Sequence, residues 1–226
     1  MFLIVDSTDE CPGALTNFQD YSKMVGLCGL DTKRSKTIIL EPCPKNDRSD
    51  YCIVRTLVGN VGQERWSVSS TIAKLGALPL ADNSVDLLVC AGNLLNRCDI
   101  GVAILEVGRV VAPRGCLSVE FDSSLSLELR GQKAFGKSVG FLARKDNGSY
   151  ARYAVYSRRY IKNLLRTLQF QEVRATAIEE LKCRERWLRS RSVFVGLIRR
   201  LSLIRRALTF SNRWAQRQLV VCRKSI

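Results

Sequence analysis

The 226-residue chain is 46% hydrophobic and 25% charged, which is an ordinary globular composition and enough length for one α/β core. It has no histidine, which excludes mechanisms that use a histidine base, and no apolar run reaches the ~18 to 20 residues needed to cross a bilayer. Residues 1–5 lack the basic start and long apolar core of a signal peptide, so we expect a soluble protein.

The cysteines indicate a reducing compartment. There are nine of them, with no C-x-x-C pair, and several fall inside predicted strands. This pattern favours reduced thiols that serve as small hydrophobic residues, and it predicts an intracellular, cytoplasmic protein. Without histidine or a cysteine pair at ligand spacing, we expect no metal site. The cysteines are Cys11, Cys28, Cys43, Cys52, Cys90, Cys98, Cys116, Cys183 and Cys222.

The net charge of +15 is unevenly distributed. The first 150 residues hold 17 Lys and Arg against 17 Asp and Glu, whereas the last 76 hold 19 against 4. The whole excess therefore belongs to the C-terminal third, and the imbalance predicts an anionic partner for that third.

The first 61 residues predict two strands and two helices. Residues 2–5 form a short apolar run that ends at Asp6, and residues 12–27 can form an amphipathic helix with Pro12 in its first turn. Residues 37–41 then predict a second strand that ends in Glu41. A helix is predicted over 49–61, with Ser49 as a candidate N-cap.

The middle of the chain carries the clearest pattern. Residues 66–72 alternate apolar and polar, as in a third strand. A Leu-Pro turn at 78–79 and an Asp-Asn bend at 82–83 lead into Val85–Cys90, a short apolar run typical of a buried fourth strand.

A helix and a fifth strand follow. Residues 100–111 have helical periodicity, and a Pro and a Gly at 113 and 115 end the helix before the β-rich run 116–121. Strand, helix, Pro-Gly turn and strand make a βαβ unit. Beyond it we expect a strong turn at 146–149, a helix after the N-cap Ser157, and strands at 171–176 and 218–224.

These residues resemble a known family. The runs LPLADNSVDLLVCAGNLL and ILEVGRVVAPRGCLSVEF are similar to the middle of the class I S-adenosylmethionine-dependent methyltransferases that act on small molecules, the type 11-like kind. The resemblance implies one methyltransferase-like domain over 1–226. It also implies an α/β, Rossmann-like fold with a seven-stranded sheet, mostly parallel with an antiparallel last strand, and helices on both faces. In that fold, residues 131–150 would form a lid or a substrate loop.

The resemblance further implies S-adenosylmethionine as cofactor and methyl transfer to an unidentified substrate. Positioning supplies most of the acceleration in such an in-line displacement, so no catalytic base is named. By position in the family pattern, the cofactor-binding residues are the loop residues Asp6 and Gly13, the strand-end acid Glu41, the backbone of Leu75 and Gly76, and the small turn Ala91, Gly92 and Asn93.

Two departures from the pattern leave a second interpretation open. The loop 6–13 keeps one glycine and adds two acids where the family has a glycine-rich loop, and Lys74 stands where an acid near the adenine is common. The alternative is therefore a catalytically inactive methyltransferase fold that serves as a scaffold for RNA or ribonucleoprotein through its basic C-terminal third.

The segment 181–217 is the source of most of that basic charge. It holds eleven Lys and Arg and one acid, with apolar residues at helical spacing, which predicts a basic amphipathic helix or helix pair. Such a segment suits an acidic substrate, RNA phosphates or an anionic membrane surface. We predict no transmembrane span. The alternative is that its apolar face packs on the sheet and its arginines are solvated.

Overall fold

Seven strands form one mixed sheet. The computed structural model describes residues 36–43, 51–58, 67–146, 149–177 and 217–225. The sheet order is β3-β2-β1-β4-β5-β9-β8, and β6 and β7 pair separately. The strands are β1 (Thr37–Pro42), β2 (Tyr51–Val58), β3 (Ser67–Lys74), β4 (Val85–Cys90), β5 (Val111–Asp122), β6 (Val139–Asp146), β7 (Ser149–Tyr156), β8 (Phe170–Ala177) and β9 (Arg217–Lys224).

The centre of the sheet is parallel. Strand β4 pairs in parallel with β1 on one side, where Leu40 lies opposite Cys90, and with β5 on the other, where Cys90 lies opposite Val119. Strand β9 is antiparallel to both β5 and β8. The predicted fold class, a Rossmann-like sheet with an antiparallel strand contributed by the C-terminal end of the chain, is confirmed.

The helices are α1 (Leu94–Arg97), α2 (Ile100–Val110) and α3 (Arg158–Thr167), with a 3-10 turn at Leu127–Leu129. Helix α2 begins at Asp99, whose Oδ1 accepts a hydrogen bond from the backbone N–H of Gly101 at 2.9 Å. Helix α3 begins at the predicted N-cap, because Ser157 Oγ accepts from the backbone N–H of Tyr160 at 3.2 Å. Both predicted helices are confirmed.

The main core lies between the sheet and these helices. Alternate residues of the strands point to this side, as the period of two requires. Strand β4 contributes Leu88 and Cys90, while α2 contributes Ile104 and Val107, each at most 2% exposed. The other set of alternate strand residues, such as Leu87 and Val89, is buried on the opposite face of the sheet.

The helix predicted at 49–61 is wrong. Residues 51–58 form β2, which is antiparallel to both β1 and β3. Tyr, Ile, Val and Thr dominate this stretch and favour a strand. Its burial also has a period of two, with Cys52 and Val54 in the core. The candidate N-cap was therefore outweighed by pairing with two distant strands.

The position given to 37–41 also needs correction. It was expected as the second strand of the sheet, but it lies beside β4 at the centre, which is the place of the first strand in doubly wound order. The strand predicted at 2–5 and the helix predicted at 12–27 lie outside the described residues, and so does the segment 181–217 apart from Arg217, which begins β9. Helices on the second face of the sheet stay a prediction.

The region expected to be a substrate loop contains a hairpin. Strands β6 and β7 pair antiparallel, with Asp146 opposite Ser149, so the predicted turn falls between them. No helix in the described ranges is long and apolar enough to span a membrane.

Candidate functional site

The carboxyl ends of β1 and β4 lie side by side, with Leu40 opposite Cys90. The chain leaves β1 for β2 and β3 on one side and returns through β4 on the other side. In open α/β sheets such a point, where connections leave in opposite directions, is where ligands bind. The backbone N–H of Ala91 donates to the carbonyl oxygen of Leu40 at 2.8 Å, which holds the two strand ends together.

Gly92 makes the turn that follows β4. Its φ of +64° is a conformation that glycine adopts without strain. A Cβ atom there would also lie 3.3 Å from the ring of Pro42, a tight contact, so the backbone conformation and the available space both favour glycine. The N–H of Gly92 donates to Glu120 Oε2 of β5 at 2.7 Å, and Glu120 is only 2% exposed.

Glu41 is part of an ion pair at this edge. Arg55 on β2 donates from Nε to Glu41 Oε2 at 2.7 Å, and the side chains are 27% and 14% exposed for Arg55 and Glu41 respectively. Both residues are on the face of the sheet opposite the main core, because they alternate with the core residues Leu40 and Val54. The ion pair uses Oε2 of Glu41, so the lone pairs of Glu41 Oε1 can accept hydrogen bonds from a ligand.

The remaining predicted residues divide between this edge and its surroundings. Asn93 lies at the β4 turn, where its Oδ1 accepts from Arg97 Nε at 3.2 Å. Leu75 and Gly76 follow β3, two strands from β1 and therefore about 10 Å away. Leu75 is a core residue, and an added side chain at Gly76 would contact Val102 of α2 at 2.5 Å.

The structure therefore brings Glu41, Ala91, Gly92 and Asn93 together, and it does not bring Leu75 and Gly76 to them. Asp6 and Gly13 lie outside the described residues. Since β1 takes the central place, the loop that follows it starts at Cys43 instead of Asp6. Its sequence over 43–50 is CPKNDRSD, which contains no glycine.

Sequence reasoning did not single out the acids of β5. Glu120 and Asp122 alternate with the core residues Val119 and Phe121, so both lie on the opposite face of the sheet. Each is at most 6% exposed. The signal was available, because two acids at alternate positions of an apolar strand are rarely buried without a partner.

The thiols at this edge are not reactive groups. Burial raises the pKa of the Cys52 thiol to about 12 and that of Cys90 well above its ordinary value. Both are therefore protonated at neutral pH, and only a thiolate is a good nucleophile or metal ligand. In the described ranges, no group of three or more Cys, Asp and Glu is arranged to hold a metal ion.

No protein-family model matches the sequence. A search of curated proteins found no similar sequence. Similar solved structures include proteins assigned to the S-adenosylmethionine-dependent methyltransferases from Listeria monocytogenes (9% identity, TM-score 0.46) and Methanosarcina mazei (13%, 0.43). Another is the 1,6-didemethyltoxoflavin N1-methyltransferase of Burkholderia thailandensis (12%, 0.42).

Each of these matches covers 68% of this chain. They cover 68%, 66% and 49%, respectively, of the matched chains, so this chain spans about half of the third.

Proposed function

We propose that the chain binds S-adenosylmethionine at the carboxyl ends of β1 and β4 and transfers a methyl group to a small-molecule acceptor. The observation that supports this most is the placement of Glu41 beside the turn Ala91, Gly92 and Asn93 at the point where the connections diverge. The middle of the sequence, which resembles this family over β4, α2 and β5, supports it independently.

The residues at these strand ends suit the chemistry of this cofactor. It supplies an electrophilic methyl group on a positively charged sulfur. Glu41 offers the oxygen that Arg55 leaves available, and carboxylates accept hydrogen bonds from ribose hydroxyls or an amino group. The tight glycine turn at Gly92 lets a ligand approach the backbone closely. Orientation by these groups is the main demand of a methyl transfer.

Two features favour the inactive scaffold instead. The N–H of Gly92, which a ligand at this turn would meet, already donates to Glu120 of the same chain. The loop after β1 also lacks the glycines of the family pattern. Cofactor binding is therefore the property that separates the two interpretations.

Calorimetric titration with S-adenosylmethionine and S-adenosylhomocysteine separates them. We expect dissociation constants on the order of micromolar for the natural chain and a loss of about tenfold or more in Glu41→Ala. Asp86→Asn is the matched control, because Asp86 lies at the opposite end of β4, where it accepts from the N–H of Lys36. It should bind as the natural chain does.

Absence of binding at about millimolar cofactor, by a chain shown to be folded, would refute the enzyme interpretation and favour the scaffold. Equal loss in Glu41→Ala and Asp86→Asn would refute the role of this edge.

We also propose that 181–217 meets an anionic partner. Its support is the composition, eleven basic residues against one acid. Binding to single-stranded RNA and to vesicles with and without anionic lipid, measured at low and physiological salt, distinguishes RNA from membrane. Absence of salt-dependent binding to both would refute RNA and membrane as partners and leave two explanations, an acidic substrate or solvated arginines.

A further inference from the structure

A cavity lies beyond the carboxyl end of β5. It has a volume of about 410 Å³ and is enclosed by the end of β5, the 3-10 turn and the hairpin of β6 and β7. Small-molecule sites have volumes of about 300 to 1,000 Å³, so the cavity has the size of such a site. It is separate from Glu41, because β4 lies between β1 and β5.

Its floor is polar and fixed in place. Tyr153 of β7 donates from its hydroxyl to Asp122 Oδ2 at 2.6 Å, and both residues are at most 6% exposed. Ser126 lies on the same lining, and its Oγ accepts from the backbone N–H of Glu128 at 3.3 Å. The hydrogen bonds hold these oxygens in defined positions.

Its wall is apolar. Leu129, Leu142 and Val155 line the cavity and belong to a small hydrophobic cluster that joins the 3-10 turn to the hairpin. A polar floor under an apolar wall suits a molecule with an apolar body and one polar group.

The charge of the lining selects the polar group. Of the ten residues that line the cavity, Asp122 and Glu128 are carboxylates and none is Lys or Arg. Asp122 Oδ1 forms an ion pair with Arg217, whose Nε lies 3.6 Å away, and at that distance the buried oxygen has no hydrogen-bond donor in the described part of the chain. A buried carboxylate oxygen favours a ligand that donates to it.

We infer that this cavity binds the amino group of a small molecule with an apolar body, with Asp122 accepting from that group. The role of this amine as the methyl acceptor rests on the proposed function. Its binding in the cavity does not. This inference differs from what the net charge of +15 predicts, because that charge is concentrated in the C-terminal third and none of it lines the cavity.

Three probes of equal size and different charge test it: phenethylamine, 2-phenylethanol and phenylacetate. Binding is measured by ligand-observed NMR and titration of the full chain. Phenethylamine should bind at least about tenfold more tightly than phenylacetate, since the carboxylates attract one and repel the other. 2-Phenylethanol should lie between them.

Two variants locate the site. Asp122→Asn should weaken the binding of phenethylamine about tenfold and change the binding of 2-phenylethanol less than about twofold, because the substitution removes the charge of the side chain and keeps its shape. Glu128 is an exposed residue at the rim of the cavity, so Glu128→Gln should leave the stability of the fold unchanged. It should weaken the binding of phenethylamine about twofold.

The inference is overturned if phenylacetate binds as tightly as phenethylamine, if Glu128→Gln and Asp122→Asn both keep the full preference, or if no probe binds at about 10 mM. Cofactor titration of the same samples is independent of these readouts. Amine binding without cofactor binding would refute the proposed function and leave the cavity assignment standing.

Discussion

The carboxylate of Glu120 accepts a 2.7 Å hydrogen bond from the backbone N–H of Gly92, and this contact ties β5 to the turn at the end of β4. The two residues are 28 positions apart in the chain. The bond gives a hydrogen-bond partner to a buried backbone N–H and to a buried carboxylate. It therefore offsets the free-energy cost of burying either group unpaired.

Removing the Glu120 carboxylate should destabilise the carboxyl ends of β4 and β5. Glu120→Ala leaves the N–H of Gly92 without its acceptor, and we expect a loss of about 1 to 3 kcal/mol in the free energy of unfolding. Glu120→Gln retains an acceptor oxygen and should lose less. Urea unfolding followed by circular dichroism measures both. An alanine variant as stable as the natural chain would show that water replaces the carboxylate at Gly92.

Asn96 should be the main link between the hairpin and the sheet. It is 1% exposed; its Nδ2 donates to the carbonyl oxygen of Ala154 at 2.6 Å, and its Oδ1 accepts from the N–H of Asp122 at 2.9 Å. Asn96→Ala leaves these two backbone groups unsatisfied, and we expect a loss of about 2 to 4 kcal/mol.

Hydrogen exchange provides the specific readout. In Asn96→Ala the amides of β7 should exchange faster relative to those of β4, since the hairpin loses one of its links to β5 and keeps the bond from Tyr153 to Asp122. Asn93→Ala is the matched control, because Asn93 is only half-buried and the bond that it accepts comes from the side chain of Arg97. Equal acceleration in the two strands would mean that Asn96 supports the whole fold and has no special role for the hairpin.

Glu106 should make stability depend on pH in the acid range. Arg109 hydrogen-bonds to both of its carboxylate oxygens, at 2.6 and 2.9 Å, and the backbone N–H of Leu78 donates to Oε1 at 2.7 Å. The hydrogen bond from Arg109 first, and then that from Leu78, lower the pKa of Glu106 below its ordinary value of 4.5.

Because the folded pKa is lowered, the contribution of Glu106 to stability is fully present above pH 4.5 and is lost as the pH falls through the folded pKa. Urea midpoints between neutral and acid pH should therefore fall more steeply for the natural chain than for Glu106→Gln. Arg109→Met should flatten the profile similarly, since it removes the cation that lowers the pKa. Parallel profiles in all three proteins would contradict this assignment.

Local signals explain which elements the sequence could predict. The apolar run lies within β4, and the Ser157 cap lies directly before α3. The Pro and Gly at 113 and 115 were expected to separate α2 from the next strand, but they lie inside β5, which begins at Val111. The strand at 51–58 could not be recognised in the same way, because its conformation depends on pairing with β1 and β3. The Glu120 contact with Gly92 depends on the register of two strands, which composition and periodicity do not provide.

The ion pair between Arg55 and Glu41 should position a carboxylate for ligand binding as well as stabilise the sheet. Both side chains are less than a third exposed, so a double-mutant cycle with Arg55→Gln and Glu41→Gln should give a coupling of about 0.5 to 1 kcal/mol in unfolding. If Arg55 orients Glu41, Arg55→Gln should weaken S-adenosylmethionine a few-fold, and Glu41→Gln should weaken it more. Tighter binding in Arg55→Gln would mean that the arginine competes with the ligand for Glu41, and unchanged binding would mean that the pair acts on stability alone.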